Sequence, residues 1–145
     1  MSNPRNILFI MCDQLRADHL SCYGHPFLQT PNIDALARRG VRFERAFVQS
    51  GVCGPSRLSF YTGRYVSSHG ASWYRVPLSI SEMTLGEYLR GKGMDLALAG
   101  KTHVMPDNHG LNRLEIDGGS ALGALLREGS FSLVDRYDGH HAEPH

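Results

Sequence analysis

The chain has 145 residues, and 15 Lys+Arg nearly balance 14 Asp+Glu, leaving a net charge of +1 with His neutral. That balance argues against a dedicated nucleic-acid binder, which carries a basic excess, and a 41% hydrophobic content argues against wholesale disorder. The longest apolar run, residues 7–12, is six long, short of the ~20 of a membrane span and of the roughly 7–15 of a signal-peptide core.

These bounds lead to the expectation of a soluble, cytoplasmic protein with neither a nucleic-acid nor a membrane partner. Three cysteines, Cys12, Cys22 and Cys53, are an odd count, and their spacings do not match a zinc knuckle. Without an export signal the expectation is reduced thiols. Three of the eight His residues, His140, His141 and His145, crowd the C-terminus and read as a loose polar end.

Taken in chain order, residues 6–11 form a continuous apolar stretch, as in a strand buried on both faces of an α/β sheet. Residues 30–40 read as a helix. Thr30 is suited to cap it, Pro31 to occupy its first position and Gly40 to stop it, with Ile33, Leu36 and Ala37 on one face. Residues 41–48, through Val41, Phe43 and the triplet Ala46-Phe47-Val48, read as a second strand. Pro55 opens a helical stretch that Gly63 ends. Another helix covers about residues 83–90, residues 96–99 make a third short strand, and residues 121–127 a last helix among Gly118, Gly119 and Gly129. Strands alternating with helices predict an α/β fold with a mostly parallel sheet flanked by helices.

In open α/β sheets ligands bind outside the carboxyl ends of the strands. Three polar groups fall there: Asp13-Gln14, then Cys53-Gly54-Pro55-Ser56-Arg57 at a helix start, then Lys101-Thr102-His103. Singly, each has a plain structural reading as a cap or a solvated side chain. Together they supply oxygens for a hard cation, a helix N-terminus with an Arg, and a Lys/His pair, which suits an anion site with a metal. Lys101 and His103 are two apart, so an extended backbone would place both on one face. Cys53-Gly54-Pro55-Ser56 also resembles a thioredoxin-type turn, but without a second cysteine it cannot complete an intramolecular redox cycle.

Cys53-x-Pro55-Ser56-Arg57, then Leu58 and Thr62-Gly63-Arg64, resembles the signature of type I sulfatases of the alkaline-phosphatase superfamily. Asp13-Gln14-Leu15-Arg16-Ala17-Asp18, Tyr23-Gly24, Thr30-Pro31-Asn32-Ile33-Asp34 and Gly100-Lys101-Thr102-His103 follow the family's order, so the likeness runs over about residues 6–104. The resemblance implies that a separate maturation enzyme oxidises Cys53 to formylglycine, whose hydrate attacks sulfur or phosphorus and then regenerates the aldehyde by elimination. It implies a divalent metal, Ca²⁺ or else Mn²⁺, held by Asp13, Gln14 and the modified Cys53. Arg57, Lys101 and His103 would bind the activated group and the ester's oxyanion, which is charge stabilisation at the transferring centre.

Many sulfatases carry two adjacent aspartates where this chain has Asp13-Gln14, a pair similar to that of phosphonate monoester hydrolases, which also cleave phosphodiesters. Lys101-Thr102-His103 looks instead like the sulfatase pattern, and sulfate-ester hydrolysis is the favoured reading. His69 lies in a family-like stretch and reads equally as a packing residue. Trp73 and Tyr74 read either as buried aromatics or as the substrate mouth.

The family's later metal ligands, an Asp with Asn or His, have no convincing counterpart; Asp138-Gly139-His140-His141 comes too soon after Lys101. An Asp, a Gln and one formylglycine oxygen are about three ligands, where Ca²⁺ takes 6–8. Residues 1–104 are therefore expected to be the N-terminal part of a sulfatase catalytic domain, apparently truncated. Residues 105–145 are read as a Gly-rich continuation with one helix. Alone the chain is expected to bind metal poorly and turn over slowly or not at all. A non-catalytic oxyanion-binding module or inactive fragment is the alternative of a different class. An unfinished sheet edge would invite self-association.

Overall fold

The computed structural model describes residues 6–136, which divide into two units with the boundary between Phe47 and Val48. The first unit contains two 3₁₀ turns, Ala17–His19 and Ser21–Tyr23, and one helix, α1 (Pro31–Arg39). Pro31 opens α1 and Gly40 closes it as the sequence predicts. Thr30 does not cap it with its side chain. Its hydroxyl is engaged elsewhere: it accepts from the Ser21 amide at 3.1 Å and donates to Asp34 Oδ1 at 3.0 Å. Ser21 Oγ donates to Asp34 Oδ2 at 2.7 Å, and these hydroxyl donors hold the Asp34 carboxyl below the usual carboxylate range.

The strands expected over 6–11 and 41–48 do not form. Ile7, Leu8 and Ile10 are each more than two-thirds exposed, as are Val41, Phe43, Phe47 and Val48. A strand exists only as one side of a ladder, and its polar backbone must be paired when its side chains are buried. Neither segment has a ladder partner among the described residues. No described residue of this unit is fully buried, so the apolar run has no core to enter.

The second unit carries the core and the remaining elements: α2 (Cys53–Thr62), α3 (Val66–His69), α4 (Leu85–Arg90), β1 (Ala97–Gly100), α5 (Asn108–Arg113), α6 (Ala121–Arg127) and β2 (Ser132–Arg136). The expected third strand appears one residue later than read, as β1. It pairs in parallel with β2, from Ala97 opposite Ser132 to Gly100 opposite Arg136, with a bulge between Leu98 and Ala99. Of the parallel sheet that the sequence predicts, the described residues thus contain one strand pair.

Leu58 and Tyr61 of α2 pack with Ala71, Leu78, Val104 and Phe131, with Leu96 and Leu98 against them. The Tyr61 and Phe131 rings meet edge to face with centroids 4.8 Å apart, a favoured aromatic geometry. Helix α4 clamps the turn that feeds β2. Its capping residue Thr84 accepts from the Glu87 amide and donates to the Gly129 carbonyl at 2.7 Å, and Arg90 donates to the Ser130 carbonyl at 2.9 Å. Gly86 lies between them so close to that turn that a Cβ would sit 2.4 Å from the Ser130 carbonyl oxygen. Only glycine fits there, and its small size sets how near α4 and the β2 turn approach.

Candidate active site

Helix α2 positions the motif. Val52 ahead of it is extended, Cys53 is the first helical residue, and Gly63 ends the helix in the left-handed conformation. The sequence predicts this ending, because a glycine without Cβ adopts positive φ freely. Cys53 is half-buried at the positive end of the helix dipole, where backbone N–H groups point toward the chain ahead. Its Sγ lies 3.7 Å from the Tyr74 hydroxyl.

Arg57, one turn along, is buried at 7% exposure, and its Nη1 donates to the Lys101 carbonyl at 3.0 Å. Gly54 faces the same region: a Cβ there would lie 3.9 Å from both His103 Nδ1 and Tyr74 Cδ1. The Tyr74 and His103 rings are nearly perpendicular, at 81° with centroids 5.9 Å apart. Four of the sequence-identified residues, Cys53, Arg57, Lys101 and His103, are thus linked to the first turn of α2. The backbone supports this. β1 ends on Gly100 at φ +100°, which turns the chain into Lys101, and Thr102 is fully buried.

His103 stands at φ +53°, a conformation uncommon for a residue with a side chain. The extended backbone that would place Lys101 and His103 on one face therefore breaks at His103. It is the turned backbone and the Arg57 bond, rather than strand alternation, that fix this segment. Strain of this kind collects at functional sites.

Asp13 and Gln14 belong to the first unit, where both are exposed and Gln14 also has positive φ, +57°. Among the described residues no three His, Cys, Asp or Glu side chains cluster to hold a metal ion. Cys12, Cys22 and Cys53 are free thiols. Asp138-Gly139-His140-His141 and His145 lie outside the described residues.

His69 is a packing residue. It is buried, its Nδ1 accepts from the Ala71 amide at 3.2 Å, and its Nε2 donates to Ser59 Oγ at 2.9 Å. With Nδ1 committed as an acceptor, the ring is neutral and carries its proton on Nε2. Burial depresses its pKa below the ordinary 6.5, with Glu82 opposing and Arg64 adding to the shift. The unfolded chain takes up this proton at higher pH than the native one. The stability contribution is therefore present above about pH 6.5 and is lost as the pH falls through the lower native value. Urea midpoints should fall between pH 7 and pH 5, and in His69→Gln this part of the pH slope should vanish.

Two features were hidden from the sequence. Tyr74 is 21 positions from Cys53, and nothing in that spacing indicates contact. The Ser59–His69 bond likewise joins two helices and carries no local signal.

At the start of α2, then, Cys53 lies beside the Tyr74 hydroxyl, and the buried Arg57 of the same helix bonds the backbone of Lys101. Residues 5–117 match the family described as Sulfatase, and the chain belongs to the sulfatase family. It is 41% identical over 108 residues to the multifunctional alkaline phosphatase superfamily protein PehA of Trinickia caryophylli, a match covering 71% of this chain and 21% of PehA. It is 39% identical over 112 residues to the steryl-sulfatase of Mus musculus, covering 70% of this chain and 18% of that protein. The crystal structure of the phosphonate monoester hydrolase of Agrobacterium radiobacter matches with a TM-score of 0.71 at 33% identity, covering 86% of this chain and 24% of the hydrolase. The chain spans about a fifth of the length of the curated relatives it matches.

Proposed function

We propose that this chain supplies the nucleophile position and the oxyanion-binding cations of a sulfate-ester hydrolase. The carrying observation is the set of groups at the start of α2: Cys53 within C-x-P-S-R, with Arg57 bonded to the backbone of Lys101 and His103 beside Gly54. Cys53 is the residue to be converted to formylglycine by a maturation enzyme, and the aldehyde so formed supplies a nucleophilic oxygen that is regenerated each cycle. Its half-buried place, with Sγ 3.7 Å from the Tyr74 hydroxyl, fits a polar oxygen group there.

The side chains present act through charge and position. Lys101 offers an ammonium to the ester's negative oxygens. His103, held in a turned backbone, offers a ring nitrogen to the same oxyanion or to the leaving oxygen. Arg57 fixes Lys101 from beneath and adds its own positive charge. Donors preorganised in this way cost no reorganisation when charge develops. Asp13 and Gln14 are the candidate metal oxygens of this chain, and a working Ca²⁺ or Mn²⁺ centre requires further ligands beyond them.

A second reading, phosphonate monoester or phosphodiester hydrolysis, is favoured by the Asp13-Gln14 pair and by the match to a phosphonate monoester hydrolase. The sulfate reading rests on Lys101-Thr102-His103. Hydrolysis of phenyl sulfate and of a phenyl phosphonate monoester separates the two, using chain coproduced with a formylglycine-generating enzyme and supplied with Ca²⁺ or Mn²⁺. Slow, Cys53-dependent release that is faster from the sulfate is expected, with substoichiometric metal. Faster release from the phosphonate reverses the order of the readings. Stoichiometric metal with rapid turnover contradicts the partial site.

A further inference from the structure

We propose that residues 6–12 form a strand that pairs antiparallel with the same residues of a second copy of this chain. This surface is independent of the sulfate-ester reading. Asn6 is followed by six apolar residues, Ile7-Leu8-Phe9-Ile10-Met11-Cys12, and the stretch holds no charge, no proline and no glycine. That composition is the one that adds readily to another strand. None of these residues stands at positive φ, whereas Gln14, at φ +57°, ends the stretch. Side chains alternate across a strand, and both faces are open here: Ile7 is 78% exposed on one, Leu8 85% and Ile10 71% on the other. Among the described residues the stretch enters no sheet.

The other exposed apolar stretch of the first unit, residues 41–48, is already engaged. The Tyr23 hydroxyl donates to the Phe43 carbonyl at 2.7 Å, and Arg42 lies 4.9 Å from the Tyr23 ring centre while bonding the Cys22 carbonyl and Glu44. Charge sets the direction of pairing at residues 6–12. In the sequence Arg5 precedes the stretch and Asp13 follows it. An antiparallel pair centred on Phe9 brings unlike charges together at both ends. A parallel pair sets like against like, which is destabilising. The antiparallel register also sets Leu8 opposite Ile10, Ile7 opposite Met11 and Phe9 opposite its own copy. The patch is thus its own complement, as a two-fold interface requires. Seven residues at about 3.4 Å each make an edge about 24 Å long and one strand thick, below the about 1,200 Å² of a stable interface. The association is therefore weak and reversible.

Sedimentation of the 145-residue chain should give a weight-average mass that climbs from one chain toward two between about 1 μM and 1 mM. Ile10→Lys, at an exposed position, should weaken the association about ten-fold or more. Thiol mapping reads the direction. In the antiparallel pair position 6 faces Cys12, at a Cα separation of about 4.5–5.5 Å that a disulfide spans. The two Cys12 residues stand about 20 Å apart along the strands. With oxidised glutathione as oxidant, Asn6→Cys should form an intermolecular disulfide between positions 6 and 12, its two thiols oxidised as one glutathione disulfide is reduced to two glutathione thiols. A Cys12–Cys12 disulfide in its place overturns the antiparallel pair. A mass that does not change with concentration overturns the proposal, as does association that Ile10→Lys leaves intact. If Ile10→Lys does not fold, the mapped disulfide decides.

Discussion

Replacement of Arg57 by Ala is expected to destabilise the second unit by about 2–4 kcal/mol. The side chain is buried, and its guanidinium donates to the Lys101 carbonyl at 3.0 Å across 44 residues of sequence. A hydrogen bond from a charged donor contributes about 1.5–3 kcal/mol, and leaving a buried acceptor unsatisfied costs about 1–3 kcal/mol on its own. The lost aliphatic stem adds a packing term. Arg57→Lys should recover only part of this, because an ammonium on a shorter stem lacks the planar fork of donors. Urea unfolding of the three proteins measures the difference. A midpoint for Arg57→Ala equal to that of the native chain would contradict the assigned role. The same variant should lose affinity for inorganic sulfate, since Lys101 and His103 follow directly on the segment that Arg57 secures.

Tyr61→Ala is expected to cost about 3–5 kcal/mol, the range for truncating a large buried aromatic side chain. Tyr61 is 5% exposed, and its ring meets Phe131 immediately ahead of β2. It therefore joins the helix that carries Cys53 to the strand pair that leads into Lys101. Leu58, three positions earlier on α2, belongs to the same cluster. Tyr61→Leu should lose less, because part of the volume is kept. Chemical denaturation followed by Trp73 fluorescence reads both variants. A loss below about 1 kcal/mol for Tyr61→Ala would show that the α2–β2 contact carries little of the unit's stability.

Helices were legible in the sequence where their signals are local. Pro31 and Gly40 bound α1, Gly63 ends α2, and α6 covers residues 121–127 as its pattern predicts. Strands depend on partners far along the chain, and there the sequence was a weaker guide. Residues 6–11 are as apolar as a buried strand and lie exposed without a ladder, whereas β2, from the unremarkable stretch Ser132–Arg136, pairs with β1. The site divides in the same way. Cys53, Pro55, Ser56 and Arg57 are contiguous, so their motif was readable, and Lys101 and His103 follow in a short fixed spacing. The contact of Tyr74 with Cys53 and the role of His69 as a buried partner of Ser59 arise only when separate segments pack. Gly100 serves the site through the φ restriction it lacks, turning the chain into Lys101 at φ +100°.

In the proposed function, Cys53 is the residue converted to formylglycine. The most direct measurement is the mass of the Cys53-containing peptide after the chain is produced together with a formylglycine-generating enzyme. An aldehyde in place of the thiol is expected at Cys53, with Cys12 and Cys22 unchanged. An intact thiol at Cys53, in cells where the same enzyme converts a control sulfatase, would contradict it.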